Sequence, residues 1–449
     1  MSEEYVLLGD EAVGMAALHA GVSFAYGYPG TPSTEIIEYM QQVLENGRIE
    51  LYPDSREPMP RAVWCTNEKT AYEAAVGASA CNRRALITMK HVGLNVAADP
   101  FMNSVLMNLQ GGLVLAVADD PGMHSSQNEQ DSRYFADFAK IPCLEPRSQQ
   151  EAYEMTRLAF DLSEQWHIPV MLKLVTRLSH SRAVVRPAPS RARNPLKKFT
   201  GKNDFMVLPS ISRDKYAQHL KLMEAVETYS EKSEYNHLTL SGTGNRPFAV
   251  ITTGLGGNYY AENSGDLDFE PDHLHIGIYP LPVEKIRALA ENNTRIICIE
   301  EGYPYVERFL KGIVSQKLIV SGKLDGTVAP SGELDPDTVR DALGLPALKG
   351  SAGPLSIPLP GRPPQLCQGC PHGDTFNAIN DALRDFPQSL VTSDIGCYTL
   401  GYLAPYETIE TTLCMGASIT MARGAADAGL DPVIAVLGDS TFMHSGLTG

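Results

Sequence analysis

Between residues 22 and about 182, short strand-like runs alternate with stretches of helical periodicity, and this alternation most restricts the fold. Strand signals fall at 22–26, 85–89, 113–118 and 169–174, and helix signals near 33–44, 68–81 and 149–164. A strand that is apolar on both faces needs cover on both sides, and helices placed between parallel strands supply it. The expected class is therefore α/β, with parallel sheets and flanking helices. Sheets of this kind bind ligands outside the carboxyl ends of their strands, so the polar residues after each strand are where chemistry is to be sought.

The alternation marks 1–185 as a first domain. Residues 186–245 begin with Pro187, Pro189 and Pro195 among basic side chains, then turn polar with a helix near 215–231, the pattern of a helical linker. A second, smaller α/β unit at 246–345 opens on Pro247-Phe-Ala-Val-Ile-Thr-Thr-Gly254, with a strand at 296–299 and a helix at 306–315. Six prolines from Pro346 to Pro364 predict an extended connector, 346–365, before a third unit at 366–449. The first and third units share a gapless pattern. Ala75-Val-Gly77-Ala-Ser followed by Ala85-Leu-Ile-Thr-Met-Lys90 aligns with Ala422-Arg-Gly424-Ala-Ala followed by Pro432-Val-Ile-Ala-Val-Leu437. Generic α/β architecture and a duplicated domain both produce such a match.

At 449 residues, with 43% hydrophobic and 20% charged side chains, the chain has the composition of a globular protein and the length of about three domains. A formal net charge of -16 argues against a nucleic-acid partner. Met1-Ser-Glu-Glu-Tyr-Val lacks a basic region, and no run approaches the roughly 18 apolar residues of a membrane span, so no membrane partner and a cytoplasmic location are expected. Eight cysteines are too sparse for a disulfide scaffold, leaving buried thiols, metal ligands or redox groups.

Several polar groups follow predicted strands. Tyr28-Pro-Gly-Thr-Pro-Ser33 joins a strand to a helix, either as a ligand-facing loop or as a Pro-shaped turn with Ser33 as N-cap. Glu68 opens a helix, where the helix dipole alone favours an acid. Lys90-His91 and Asp119-Asp-Pro-Gly-Met-His-Ser-Ser126 end two further strands on the same edge. In the third unit the run 433–437 delivers Gly438-Asp439-Ser440, which is a tight turn or a strand tip that holds a hard cation with phosphate. Cys367-Gln-Gly-Cys370 and Cys397 suit an iron-sulfur or zinc site, with Cys414 as a further ligand, or a redox pair, or thiols that merely pack.

Taken together these motifs resemble those of the thiamine diphosphate-dependent 2-oxoacid:ferredoxin oxidoreductases, most closely the alpha subunits of the indolepyruvate ferredoxin oxidoreductase branch. The resemblance runs through Tyr28-Pro-Gly-Thr-Pro-Ser-Thr-Glu35, Thr66-Asn-Glu-Lys-Thr70, Lys90-His-Val-Gly-Leu-Asn95, Asp119-Asp-Pro-Gly122, Cys367-Gln-Gly-Cys-Pro-His372, Ser393-Asp-Ile-Gly-Cys397 and Gly438-Asp-Ser-Thr-Phe442. It implies a thiamine diphosphate-binding fold with a pyrimidine-binding domain (1–185), a transketolase C-terminal-like domain (246–345) and a diphosphate-binding domain (366–449), and the internal alignment follows from a fold the outer two share. It also implies Glu68, Thr31 and His91 as catalytic residues, with Glu68 bonding the aminopyrimidine. Tyr28, Pro29, Gly30, Glu68, Gly438, Asp439 and Ser440 would bind cofactor, Asp439 as a magnesium ligand, and Cys367, Cys370 and Cys397 would be iron-sulfur ligands.

The implied reaction is oxidative decarboxylation of an arylpyruvate such as indolepyruvate. The cofactor ylid attacks the 2-oxo carbon and carbon dioxide leaves, after which coenzyme A takes the acyl group and ferredoxin the electrons. A dimer of alpha chains with a beta subunit is the implied assembly. Family members continue past the acidic turn to a second magnesium ligand and a cysteine-rich ferredoxin-like segment, so the diphosphate domain is expected to be incomplete here and the chain inactive alone. A non-oxidative thiamine diphosphate decarboxylase and a non-catalytic scaffold subunit are the competing expectations.

Overall fold

The computed structural model describes residues 4–47, 59–241, 246–313, 318–348 and 365–449. They divide into two compact units, Met1–Leu348 and Lys349–Gly449. The proline-rich connector expected at 346–365 lies almost wholly outside the described residues, as does the end of the helix expected at 306–315.

The first unit contains two sheets built mainly of parallel strands. The larger has seven, in the spatial order Ile278–Tyr279, Cys143–Leu144, Val170–Val175, Leu113–Asp119, Ala85–Lys90, Phe24–Gly27 and Arg61–Trp64. All its pairings are parallel except that of Ile278–Tyr279 with Cys143–Leu144. Successive side chains of a strand point to opposite faces, and here both faces are covered. Val114, Ala116 and Ala118 enter one buried cluster while Leu113, Leu115 and Val117 enter another. This is why the strands read as continuous apolar runs rather than as alternating ones.

The second sheet has the order Ile319–Ser321, Arg295–Ile299, Ala249–Thr253, His273–Ile276 and Asn236–Thr239, with only the last strand antiparallel. The helix Pro209–Lys232, longer than the periodicity suggests, precedes it. The boundary drawn near 246 is crossed twice. Ile278–Tyr279 leaves the second α/β segment to edge the first sheet, and a buried ionic network joins the segments. At its centre Arg133, 1% exposed, pairs with Asp131 and with Glu300 Oε2 at 3.0 Å, and donates to Glu301 O at 2.9 Å, Tyr303 O at 3.0 Å and Tyr279 OH at 3.2 Å. Lys173 Nζ donates to Glu145 Oε1 at 2.9 Å, and Tyr279 OH to Glu145 Oε2 at 2.6 Å.

The second unit contains the parallel pair Leu390–Ser393 and Val433–Val436 and the helices Pro371–Leu383 and Ala417–Asp427 around a small core of Phe376, Val391, Tyr398, Ile409 and Val436. The repeated segments noted above are, in both units, a helix followed by a parallel strand: Glu68–Ala80 then Ala85–Lys90, and Ala417–Asp427 then Val433–Val436. Among the described residues no helix is long and apolar enough to cross a membrane.

Candidate active site

The strand Phe24–Gly27 pairs with Arg61–Trp64 on one side and with Ala85–Lys90 on the other. The chain leaves it toward the first neighbour and returns across it to the second, so its connections diverge, the arrangement at whose carboxyl edge open α/β sheets bind ligands. Four polar segments follow strand ends on this edge: the 28–33 loop, the start of the helix Glu68–Ala80, Lys90-His91, and the 119–126 loop.

Tyr28 is buried, Pro29 and Thr31 are exposed, and Gly30 is half-buried. The loop is braced internally: Gly30 N donates to Thr34 Oγ1 at 2.9 Å, and Ser33 N and Oγ both donate to Gly30 O at 2.9 Å. Ser33 makes no side-chain N-cap bond, since its hydroxyl is spent on Gly30. Ser125 Oγ reaches across to donate to Thr31 O at 3.1 Å.

Asn67 caps the next helix, its side chain accepting from Thr70 N at 2.8 Å. A first-turn acid such as Glu68 is favoured by the helix dipole, but its 6% exposure sets it apart from an ordinary surface glutamate. Its side chain lies against Gly93, where any Cβ would sit 2.6 Å from Glu68 Cγ and Oε1. Gly30 is packed in the same manner, a Cβ there falling 3.0 Å from Lys90 Cδ. His91 is 1% exposed, and its Nε2 donates to Asn128 O at 3.1 Å; burial lowers its pKa, so the ring is a neutral tether for the 128 segment. Burial pushes the Asp120 carboxyl up, but bonds from Ser126 Oγ at 2.6 Å, Ser125 N at 2.9 Å and Thr176 Oγ1 at 2.7 Å outweigh it and hold the group below the usual carboxylate range, as an anion.

In the second unit the two parallel strands present Asp394 and the Gly438-Asp439 turn at the same edge. Asp394 is fully buried; it bonds Tyr398 OH and accepts from Ser418 Oγ at 2.7 Å and Gly416 N at 3.1 Å. The Tyr398 hydroxyl lies 2.9 Å from Thr441 Oγ1, and its ring fills the space where a Cβ on Gly438 would stand, 2.9 Å from Cε1. These contacts fix the turn. Asp439 and Ser440 open the helix Asp439–His444 and are exposed, with Ser440 N donating to Asp439 Oδ1 at 2.8 Å. The exposed carboxylate suits a hard cation.

Cys370 Sγ and Cys397 Sγ approach His372 Nδ1 at 3.4 and 3.9 Å, while Cys367 and Cys414 are exposed. No group of three cysteine, histidine or acidic side chains among the described residues is gathered closely enough to hold a metal ion. Sequence reasoning named Gly30 and placed Gly93 and Asp394 inside family motifs, but gave no role to Gly93, Asp394 or Tyr398, because nothing in a linear pattern reports which side chain fills the space above a glycine.

A family model described as pyruvate flavodoxin/ferredoxin oxidoreductase, thiamine diphosphate-binding, matches residues 15–239. The chain belongs to this family of thiamine diphosphate-binding 2-oxoacid oxidoreductases. Within it, the chain is similar to indolepyruvate oxidoreductase subunit IorA of Archaeoglobus fulgidus, at 36% identity over 99% of this chain and 72% of the relative. The same subunit of Methanothermobacter thermautotrophicus is also 36% identical over the same shares. The 2-oxoglutarate:ferredoxin oxidoreductase from Magnetococcus marinus, solved with 2-oxoglutarate, coenzyme A and succinyl-CoA bound, matches with a TM-score of 0.57 at 16% identity, over 72% of this chain and 62% of that one. At that identity the likeness is one of fold.

Proposed function

We propose that this chain is the alpha subunit of an indolepyruvate:ferredoxin oxidoreductase, converting an arylpyruvate and coenzyme A to an arylacetyl-CoA and carbon dioxide while two ferredoxins are reduced. The observation that carries the reading is the burial of Glu68 at a helix tip on the switch-point edge, in a cradle that only Gly93 permits. Bound thiamine diphosphate supplies an electron sink for the carbanion that decarboxylation leaves. Glu68 would bond the aminopyrimidine ring and exchange a proton with it, and its shielding from water strengthens that bond. Thr31, exposed on the braced loop, offers a hydroxyl to the substrate, and Tyr28, Pro29 and Gly30 shape the wall. His91 holds the 128 segment.

Asp439 is proposed as a magnesium ligand, with Gly438 and Ser440 beside the diphosphate; a single protein carboxylate plus phosphate oxygens is a normal part of a magnesium shell. Cys367, Cys370 and Cys397 remain the proposed iron-sulfur ligands on the chemistry of three thiols, but their present arrangement does not close a cluster site, and no electron-transfer step is assigned to them. A beta subunit, a dimer of alpha chains and a cytoplasmic location complete the proposal. The test is an anaerobic assay of the complex with its beta subunit, offering indolepyruvate, phenylpyruvate, pyruvate and 2-oxoglutarate with coenzyme A and a low-potential dye. Preferential turnover of the two aryl substrates is expected, and preference for 2-oxoglutarate or pyruvate contradicts the assignment.

A further inference from the structure

Lys90 ends the strand Ala85–Lys90 at the switch point. Its stem packs on Gly30 of the 28–33 loop, and Asp120 and Glu68 are its charged neighbours. Among the described residues no carboxylate oxygen lies within 4.0 Å of its Nζ. Its Nζ donates to Ser125 O at 3.4 Å, although an ammonium carries three donors. Asp120 attracts it from beyond 4.0 Å but makes no contact ion pair with it, its carboxylate being held by Ser125, Ser126, Thr176 and the His124 N–H at 3.3 Å.

A partly buried ammonium with no contact ion pair among the described residues carries a desolvation cost that an arriving anion offsets. Burial does lower the basicity of Lys90, with Asp120 and Glu68 opposing the shift. Every 2-oxo acid has a carboxylate bonded directly to its reacting carbon. We infer that Lys90 binds the substrate carboxylate between Thr31 and Glu68 and so selects 2-oxo acids over neutral carbonyl compounds. The inference rests on the proposed function and adds a residue that it does not use.

The kinetic consequence follows from where the charge goes. The carboxylate is anionic in the bound substrate and loses that charge as carbon dioxide leaves, so an ion pair to it stabilises the ground state at least as much as the transition state. Removing Lys90's charge should therefore raise KM far more than it lowers kcat. A purely structural role, in which the stem supports Gly30, makes a different demand. K90M keeps most of the stem and should then be nearly silent.

The experiment uses the complex with its beta subunit and compares wild type, K90M and K90R. K90M is expected to raise the KM for the arylpyruvate by about 10- to 100-fold, the loss of one charge-assisted bond, with kcat changed by less than about threefold. Inhibition by the matching arylacetate should weaken by the same factor while inhibition by the neutral arylethanol is unchanged, and K90R should recover most of the loss. An unchanged KM and arylacetate inhibition in K90M, or equal weakening of both inhibitors, overturns the inference. If wild type fails to oxidise any arylpyruvate, the functional assignment fails instead, and calorimetric binding of arylacetate to wild type against K90M still decides the role of Lys90.

Discussion

Glu68 and Gly93 form a residue pair in which the small partner makes the large one usable. A methyl group at position 93 would stand 2.6 Å from the Glu68 carboxylate, so G93A should push that group out of place and weaken thiamine diphosphate binding, measurable by cofactor titration. E68Q keeps the volume and loses the proton exchange, so turnover should fall by about 100- to 10,000-fold while cofactor binding weakens much less. N67A removes the cap that sets the first turn and should cost about 1 kcal/mol in chemical denaturation. Glu68 and Thr31 were singled out through their motifs, and the structure places the first buried at a helix tip and the second exposed on its loop. Gly93 and Asp394 stood inside motifs, and Tyr398 beside one, without a role, since what they do depends on which side chains they meet in the fold.

At the scale of elements, the alternation located the helices Glu68–Ala80 and Gln149–Trp166 and the strands Ala85–Lys90, Leu113–Asp119 and Val170–Val175 to within a residue or two, because strands buried on both faces leave an unbroken apolar signature. It missed Ile278–Tyr279, a two-residue strand too short to carry a period and paired only through tertiary contact. It also missed the ionic network, because isolated charged residues along a chain do not announce that they will be buried together. Removing one partner of such a network leaves charges stranded, so R133M should destabilise the first unit by about 3–5 kcal/mol in denaturant unfolding. Burial, opposed by Lys173, pushes Asp119 up to about 7. The folded state then keeps a proton that the unfolded chain releases at an ordinary carboxylate pKa, so stability falls as pH rises from about 4 to about 7 and levels above that. Asp119→Asn should flatten part of this fall in melting temperatures taken across pH 5 to 8; Glu301, also raised to about 7 by burial, retains the remainder.

For the whole molecule, the repeated helix-and-strand pattern and the family motifs spanning residues 28 to 442 made the thiamine diphosphate-binding fold legible in the sequence. The division into domains was less so: segments 1–185 and 246–345 were read as separate domains, yet a shared sheet edge and the Arg133 network fall within one compact unit. In the proposed function the reaction is that of the enzyme assembled with its beta subunit, and its defining feature is that the electrons leave by way of an acceptor while the acyl group goes to coenzyme A. The most direct measurement is therefore an anaerobic balance of products from the complex with its beta subunit, given indolepyruvate, thiamine diphosphate, magnesium, coenzyme A and oxidised ferredoxin. The expected result is one indoleacetyl-CoA and two reduced ferredoxins for each carbon dioxide, abolished by E68Q. Release of carbon dioxide with free indoleacetaldehyde and no reduced ferredoxin would contradict it.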